Sequence, residues 1–275
     1  MIDSKKFIGT AKLRSARGFS LTEAIMVIVI TGILAGMVAV FIQKPVQGFF
    51  DTARRAALVD AADTALRRIS RDLREALPNS VRVSGTALEF LHVRSAGRYR
   101  EQGPGDPLDF TSADTSFAVL GPPVSVQAGD SVVVYNLGIS GADAYSGETA
   151  ITDVRRVYSG AGGLLANVAI TSTAALRFAS PARRFQIVDT PVSYVCAGNQ
   201  MRRYSGYAIQ PPPQPVPPAG AGILIALIAD KLTTCSFAYT TGPSEREALV
   251  TLNLALTDGG ETVSLIYQVH VNNVP

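Results

Sequence analysis

Arg17-Gly18-Phe19-Ser20-Leu21-Thr22-Glu23, followed by Ala24-Ile25-Met26-Val27-Ile28-Val29-Ile30-Thr31-Gly32-Ile33-Leu34, is the stretch on which the reading of this 275-residue chain turns. The apolar run continues to Ile42, and no Asp, Glu, Lys or Arg interrupts it between Ala24 and Ile42. As an α-helix, residues 19–42 extend about 36 Å, enough to cross a bilayer core with some tilt. Ser20 or Thr22 is placed to cap the helix start. Glu23 sits at the lip of a segment that otherwise suits hydrocarbon. A lone carboxylate inside a bilayer costs on the order of 2.5–3.5 kcal/mol, and such acids are as a rule paired and functional.

Charge distribution around this run sets an orientation. Lys5, Lys6, Lys12, Arg14 and Arg17 precede it, so residues 1–18 carry a net +4, and the remainder carries 20 basic against 21 acidic residues. The excess of Lys and Arg predicts that the N-terminal side stays in the cytoplasm and that everything after Ile42 lies across the membrane. The near-neutral remainder gives no electrostatic case for nucleic-acid binding. Residues 1–18 lack the apolar core and small-x-small cut site of an ordinary secretory signal and read as a basic leader. Gly32 and Gly36 form a G-x-x-x-G pair, which either lets two membrane helices approach closely or merely loosens this one.

Working outward, Pro45 removes a backbone donor and clashes with the carbonyl of Phe41, which predicts a kink or break. Helical spacing resumes at once: Phe49, Ala53, Ala57, Leu58, Ala61, Ala62, Ala65, Leu66, Ile69, Leu73 and Leu77 recur every three or four residues and mark one apolar face. Asp51 with Arg55, Asp63 with Arg67, Arg68 with Asp72, and Arg71 with Glu75 are spaced as i,i+4 pairs on the solvated side. Pro78 ends the helix, predicted over 19–77 with its membrane-spanning part at 19–42. From 78 to 275 the pattern is that of a β-rich globular domain. Strands are expected at 81–83, 88–93, 131–136, 168–171, 184–188, 192–196, 201–209, 223–228, 249–256 and 262–271, the last two joined by a hairpin at Asp258-Gly259-Gly260. Residues 95–116 read as loop, and 211–218 as a stiff polyproline excursion. The fold class is α+β, a long N-terminal helix packed on an antiparallel sheet.

Cys196 and Cys235 both follow the apolar run and so fall on the oxidising side of the membrane, where a disulfide persists; two buried free thiols are the alternative. No phosphate-binding G-x-x-x-x-G-K-[ST] loop and no G-x-S-x-G elbow occurs, and the glycines at 160–163 read as a turn. His92 and His270 are isolated on strands, with no ligand spacing that completes a metal site. Arg202-Arg203-Tyr204 reads as a surface strand. Asp106 and Asp109, in a Gly/Pro-rich loop, are candidates for a calcium site or simply solvated acids. No catalytic residue, metal or cofactor is expected, and an enzyme reading survives only through residues that folding brings together.

The pattern basic residue, Gly, Phe, hydroxyl residue, Leu, any residue, Glu, directly before an apolar run, closely resembles the prepilin leader of type IV pilins and type II secretion pseudopilins. The resemblance implies a pilin-like fold and cleavage by prepilin peptidase between Gly18 and Phe19, followed by methylation of the Phe19 amino group. It implies that Glu23 pairs with the N-terminal amine of a neighbouring subunit during assembly. It implies as partners other minor and major pilins and an inner-membrane assembly platform, with the domain after the helix in the periplasm. Thr22 stands where the family more often has an aliphatic residue, and Pro45 falls later than the family's usual helix-breaking proline. Segments 46–50, 56–77, 78–83 and 191–196, with Arg203-Tyr204, look like minor pilins of the mannose-sensitive haemagglutinin pilus and their J-type pseudopilin relatives. Three functions follow as expectations: a minor pilin, a J-type pseudopilin, or a surface adhesive module.

Overall fold

The structure, a computed structural model, describes residues 18–146, 154–171, 174–211, 216–242 and 246–275. The basic residues from Lys5 to Arg17 and part of the proline tract, 212–215, lie outside the described residues. The chain divides into two units, Met1–Ala53 and Arg54–Pro275. The architecture is α+β, as the periodicities predict: among the described residues, one long N-terminal helix, α1 (Leu21–Arg74), and fourteen strands.

Two expectations about α1 need correction. Of the kink or break expected at Pro45, the break does not occur: the helix runs on through Pro45, since a single lost i→i−4 bond can be carried by the turns on either side. It also ends at Arg74, before Pro78. The Glu75 and Ala76 amides bond three residues back, to Asp72 and Leu73, and the Leu77 amide leaves the helix for the carbonyl of Leu91 at 2.8 Å. Proline at 78 disfavours the helical region for Leu77, so a neighbouring strand takes its donor instead. The apolar face is buried from Leu58 onward, through Ala62, Ala65, Leu66, Ile69 and Leu73.

That face packs on two sheets. The larger, nine-stranded, has the order β11 (Leu224–Ala229), β10 (Gln200–Ser205), β9 (Arg184–Ala197), β2 (Ala87–Tyr99), β3 (Ser116–Leu120), β8 (Asn167–Ala169). Within it β1 (Arg82–Ser84) pairs with β2, and β5 (Ser131–Val133) pairs with β9 and with β6 (Arg155–Val157). The smaller is a meander of β12 (Leu232–Thr241), β13 (Glu247–Asp258) and β14 (Glu261–Asn272), and β4 (Val124–Val126) pairs with β7 (Gly163–Leu165) apart from both. Every paired ladder is antiparallel. Leu66, Ile69 and Leu73 share one core with Phe90 of β2, Tyr194 of β9, Met201 of β10 and Leu252 of β13. A second core, around Tyr99, Phe117 and Phe185, lies toward the other end of β2 and β9.

The central pair β2–β9 departs from the sequence reading twice. Residues 184–197 form one strand rather than two, with Pro191 carried opposite Leu91 where the register shifts; proline is tolerated in a strand at such irregularities. Strand β2 continues to Tyr99, through residues read as loop, because Gly97 is not a turn here. It faces Phe185 across the ladder, and a Cβ at Gly97 would come within 2.9 Å of that ring. The hairpin at 258–261 forms as expected: Asp258 pairs with Glu261, and Gly259 and Gly260 take φ of 56° and 90°, as a two-residue type I′ turn demands. Strand β12 went unread; it carries Cys235, which is bonded to Cys196 at S–S 1.97 Å. The disulfide therefore joins the last residues of β9 in the large sheet to the small one.

Candidate functional site

The N-terminal segment is the first candidate. Ser20 is its cap: its Oγ accepts the Glu23 amide at 3.2 Å, and its carbonyl takes the Ala24 amide at 3.1 Å. Thr22 contributes only a hydroxyl contact to Ser20, 3.1 Å away. Glu23 thereby occupies the third helical position of an S-x-x-E start, where a carboxylate opposes the positive end of the helix dipole. That is a local, structural reason for the acid, and it leaves the carboxylate at the tip of the helix, on the first turn beyond Phe19.

Beyond Glu23 the helix is apolar and open. Phe19 and Leu21 are exposed, as are Ile25, Met26, Ile28, Ile33, Met37, Phe41 and Phe50. Nothing lies within 4 Å of where a Cβ would stand at Gly32 or Gly36. This is one helix long and apolar enough to cross a membrane, with none of its most apolar window buried. Burying such a surface requires hydrocarbon, other helices, or both; water is the one environment it does not suit.

Elsewhere, folding assembles polar clusters that sequence spacing did not show. The Glu89 carboxylate is fully buried in β2: Oε1 accepts Arg82 Nε at 2.8 Å, and Oε2 accepts the hydroxyls of Ser193 at 3.0 Å and Tyr207 at 2.8 Å. The Arg82 guanidinium also stacks 3.8 Å from the Tyr145 ring. Burial, then the Glu89 charge, pushes the Tyr207 hydroxyl up. The one sequence signal was an acid in the apolar run Ala87-Leu88-Glu89-Phe90-Leu91. His92 is bracketed by carboxylates, Asp189 at 2.8 Å on Nδ1 and Glu75 at 3.1 Å on Nε2. The hydrogen bond to Asp189 raises its pKa against the opposing effect of burial. Each carboxylate in these clusters faces a cation or hydroxyl of the same fold, which is the pattern of cross-bracing between elements.

The calcium reading of Asp106 and Asp109 is not supported. Asp109 accepts the Thr111 amide at 2.7 Å, the Thr111 hydroxyl at 2.6 Å and the Ser112 hydroxyl at 2.5 Å. Those bonds, Ser112's first, lower its pKa to about 2. Asp106 accepts from Ser116 at 2.6 Å. Asp109 closes a turn and Asp106 ties its loop to the start of β3, and among the described residues no group of three His, Cys, Asp or Glu could hold a metal ion. Arg202 bonds to Gln200 and Arg203 to Asp72.

An exposed apolar helix with a capped acid at its tip, followed by an α+β domain, defines a membrane-anchored class. Residues 13–39 match the family described as Prokaryotic N-terminal methylation motif. That motif is the type IV pilin signature; it supports the prepilin and pseudopilin family and implies prepilin peptidase processing and association with other pilins. No curated protein and no solved structure matches the chain.

Proposed function

We propose that this chain is a minor pilin acting in assembly or initiation of a type IV pilus of the mannose-sensitive haemagglutinin kind. The observation that carries the reading is the methylation motif at 13–39 in register with a helix whose apolar side chains are exposed from the first turn. On this reading 1–18 is the leader, α1 up to Arg74 is the assembly helix and the chain after it is a periplasmic domain, held in the inner membrane by a single pass until incorporation. The role is structural and not enzymatic. Its partners are prepilin peptidase, other minor and major pilins and the inner-membrane assembly platform.

The chemistry of the site gives this a mechanism. Cleavage after Gly18 creates a cationic amine on Phe19, and methylation keeps that charge. The amine stands just before the helix start, where it adds to the positive dipole end, so it gains from a carboxylate. Two unit charges about 4 Å apart attract by about 4 kcal/mol at an effective dielectric near 20. This matches the ~2.5–3.5 kcal/mol that strands a lone carboxylate at the membrane. Pairing Glu23 with the amine of a neighbouring subunit therefore offsets the burial of either alone, while the apolar helices bundle.

Intact-mass analysis of the mature chain is expected to start at Phe19 with one added methyl group. Glu23→Ala should leave membrane insertion intact and lower recovery of the protein in sheared filaments at least tenfold by immunoblot. Normal recovery of that variant would remove Glu23 from the assembly role. An unprocessed N terminus in cells with active prepilin peptidase would remove the whole reading.

A further inference from the structure

Strand β11 lies at one end of the nine-stranded sheet and, among the described residues, is paired only through β10. Its sequence, Leu-Ile-Ala-Leu-Ile-Ala, holds no charge, no proline and no polar side chain. Leu224 is 69% exposed, Ile225 56% and Leu227 54%. A free edge with apolar side chains on both faces invites another strand, and stable monomers normally blunt such edges with charge, proline or brevity. The other end of the sheet does so: β8 is three residues long. Of the two outer strands of the small sheet, β12 carries Thr233, Thr234 and Ser236, and β14 carries Ser264, Gln268 and His270.

Beside this edge lies unneutralised positive charge. Ala226 of β11 pairs with Arg203 of β10, and Arg203 reaches Asp72 on α1. Arg68, one turn before Asp72 on the same flank, and Arg71 line a surface cleft with Thr64, Arg67 and Asp72. Asp72 is taken by Arg203, and Glu75 by His92, so among the described residues neither Arg68 nor Arg71 has a carboxylate partner.

We propose that β11 and the Arg68–Arg71 cleft together form an acceptor for a β-strand of a partner protein, with apolar side chains in the strand and carboxylates beside it. The main-chain edge supplies hydrogen bonds, Leu224, Ile225 and Leu227 supply apolar contact, and the two arginines select for acid. This surface belongs to the folded domain, and neither it nor its test depends on the reading of the N-terminal segment.

The test uses the full chain in detergent micelles and a synthetic peptide of alternating valine and threonine ending in glutamates. A counterpart ending in lysines serves as its control. The acidic peptide should slow hydrogen exchange at the 224–229 amides at least tenfold at saturation. Arg68→Glu with Arg71→Glu should weaken its binding at least tenfold, and Leu227→Lys or Ile225→Lys should abolish it, with exchange of the β13 amides unchanged as the check on folding. Unchanged exchange at 224–229 under saturating acidic peptide would overturn the proposal, as would equal binding of the lysine peptide. Concentration-dependent protection of β11 without peptide would overturn it in favour of a second copy of this chain.

Discussion

Arg203 Nε on β10 donates to Asp72 Oδ2 on α1 at 2.7 Å, and the Tyr194 hydroxyl of β9 donates to the same oxygen at 2.7 Å. Helical spacing offers Asp72 to Arg68 instead. An exposed i,i+4 pair is worth only about 0.2–0.5 kcal/mol, so a partly buried carboxylate with two cross-element donors wins. The same choice recurs at Glu75, which turns to His92 and not to Arg71, and at Arg55, which pairs with Glu261 at 2.7 Å. Asp63–Arg67 keeps the expected helical pairing, at 2.7 Å.

Asp72→Asn therefore tests how α1 is held to the large sheet. The variant leaves the Arg203 guanidinium partly buried without its counterion and weakens the bond from Tyr194. A loss of about 3 kcal/mol is expected in urea unfolding of the full chain in detergent. Arg68→Ala, which removes an exposed and unpaired cation, should change stability by less than about 0.5 kcal/mol.

His92 gives the domain a pH dependence of defined sign. The hydrogen bond to Asp189 raises its pKa, desolvation opposes, and the charges of Asp189 and Glu75 add to the rise. A histidine with a raised folded pKa contributes fully below its unfolded value, about 6.5, and that contribution fades as pH rises through the folded value. For Asp189, burial pushes the pKa up, but the bonds from His92 and the Thr190 amide bring it below the usual range. Its contribution is present above the unfolded carboxylate value and is lost as pH falls. Unfolding midpoints measured from pH 5 to 9 should therefore decline above about 6.5, and His92→Gln should flatten that decline. A midpoint of the wild-type chain that is level from pH 6 to 9 would refute the bracketed-histidine account.

Much of this was legible in the sequence, for physical reasons that differ by element. The membrane-length run, the apolar face from Leu58 to Leu73 and the Asp258–Glu261 hairpin are each set by residues close in sequence, where periodicity and turn chemistry act. Strand β12 was not read because its exposed threonines and serine break the alternation that marks a half-buried strand. Continuation of β2 to Tyr99 was hidden because Gly97 serves Phe185, a residue 88 positions away in the same sheet. Apart from Arg82, seven residues before Glu89, the clusters at Glu89, His92 and Asp72 draw their partners from distant segments, so spacing alone does not assemble them. At the N terminus the opposite holds: Ser20, Glu23 and the run after them act locally, and the sequence is the site.

The Cys196–Cys235 bridge closes a separation of 39 residues and ties the two sheets that clasp α1. In the chain-entropy view a loop of that length stabilises by about 4 kcal/mol. Replacing both cysteines by serine should lower unfolding stability by about that amount. Loss should appear first as faster hydrogen exchange in β12, because the rest of the small sheet retains its ladder to β13. Equal stability of oxidised and reduced protein would show that packing of Leu232, Phe237 and Leu252 suffices without the bridge.

Glu89 supplies the strongest test of how the core tolerates charge. Its carboxylate is fully buried, and Arg82, 16% exposed in its side chain, is its ion partner at 2.5 Å. Taking both ions from water is expensive, and good geometry repays that cost only while the pair is complete. Glu89→Gln leaves the guanidinium buried without its anion and should cost about 3–5 kcal/mol. Replacing both members, with Arg82→Met and Glu89→Leu, removes the charges together and should recover most of that loss, since buried pairs exchange for apolar residues at little net cost. Ser193 and Tyr207 keep their mutual hydrogen bond in the double variant, so two hydroxyls are not orphaned along with the carboxylate. A double variant as unstable as Glu89→Gln would instead place the stabilisation in the Ser193–Tyr207–Glu89 hydrogen bonds, with Arg82 serving only to neutralise the acid.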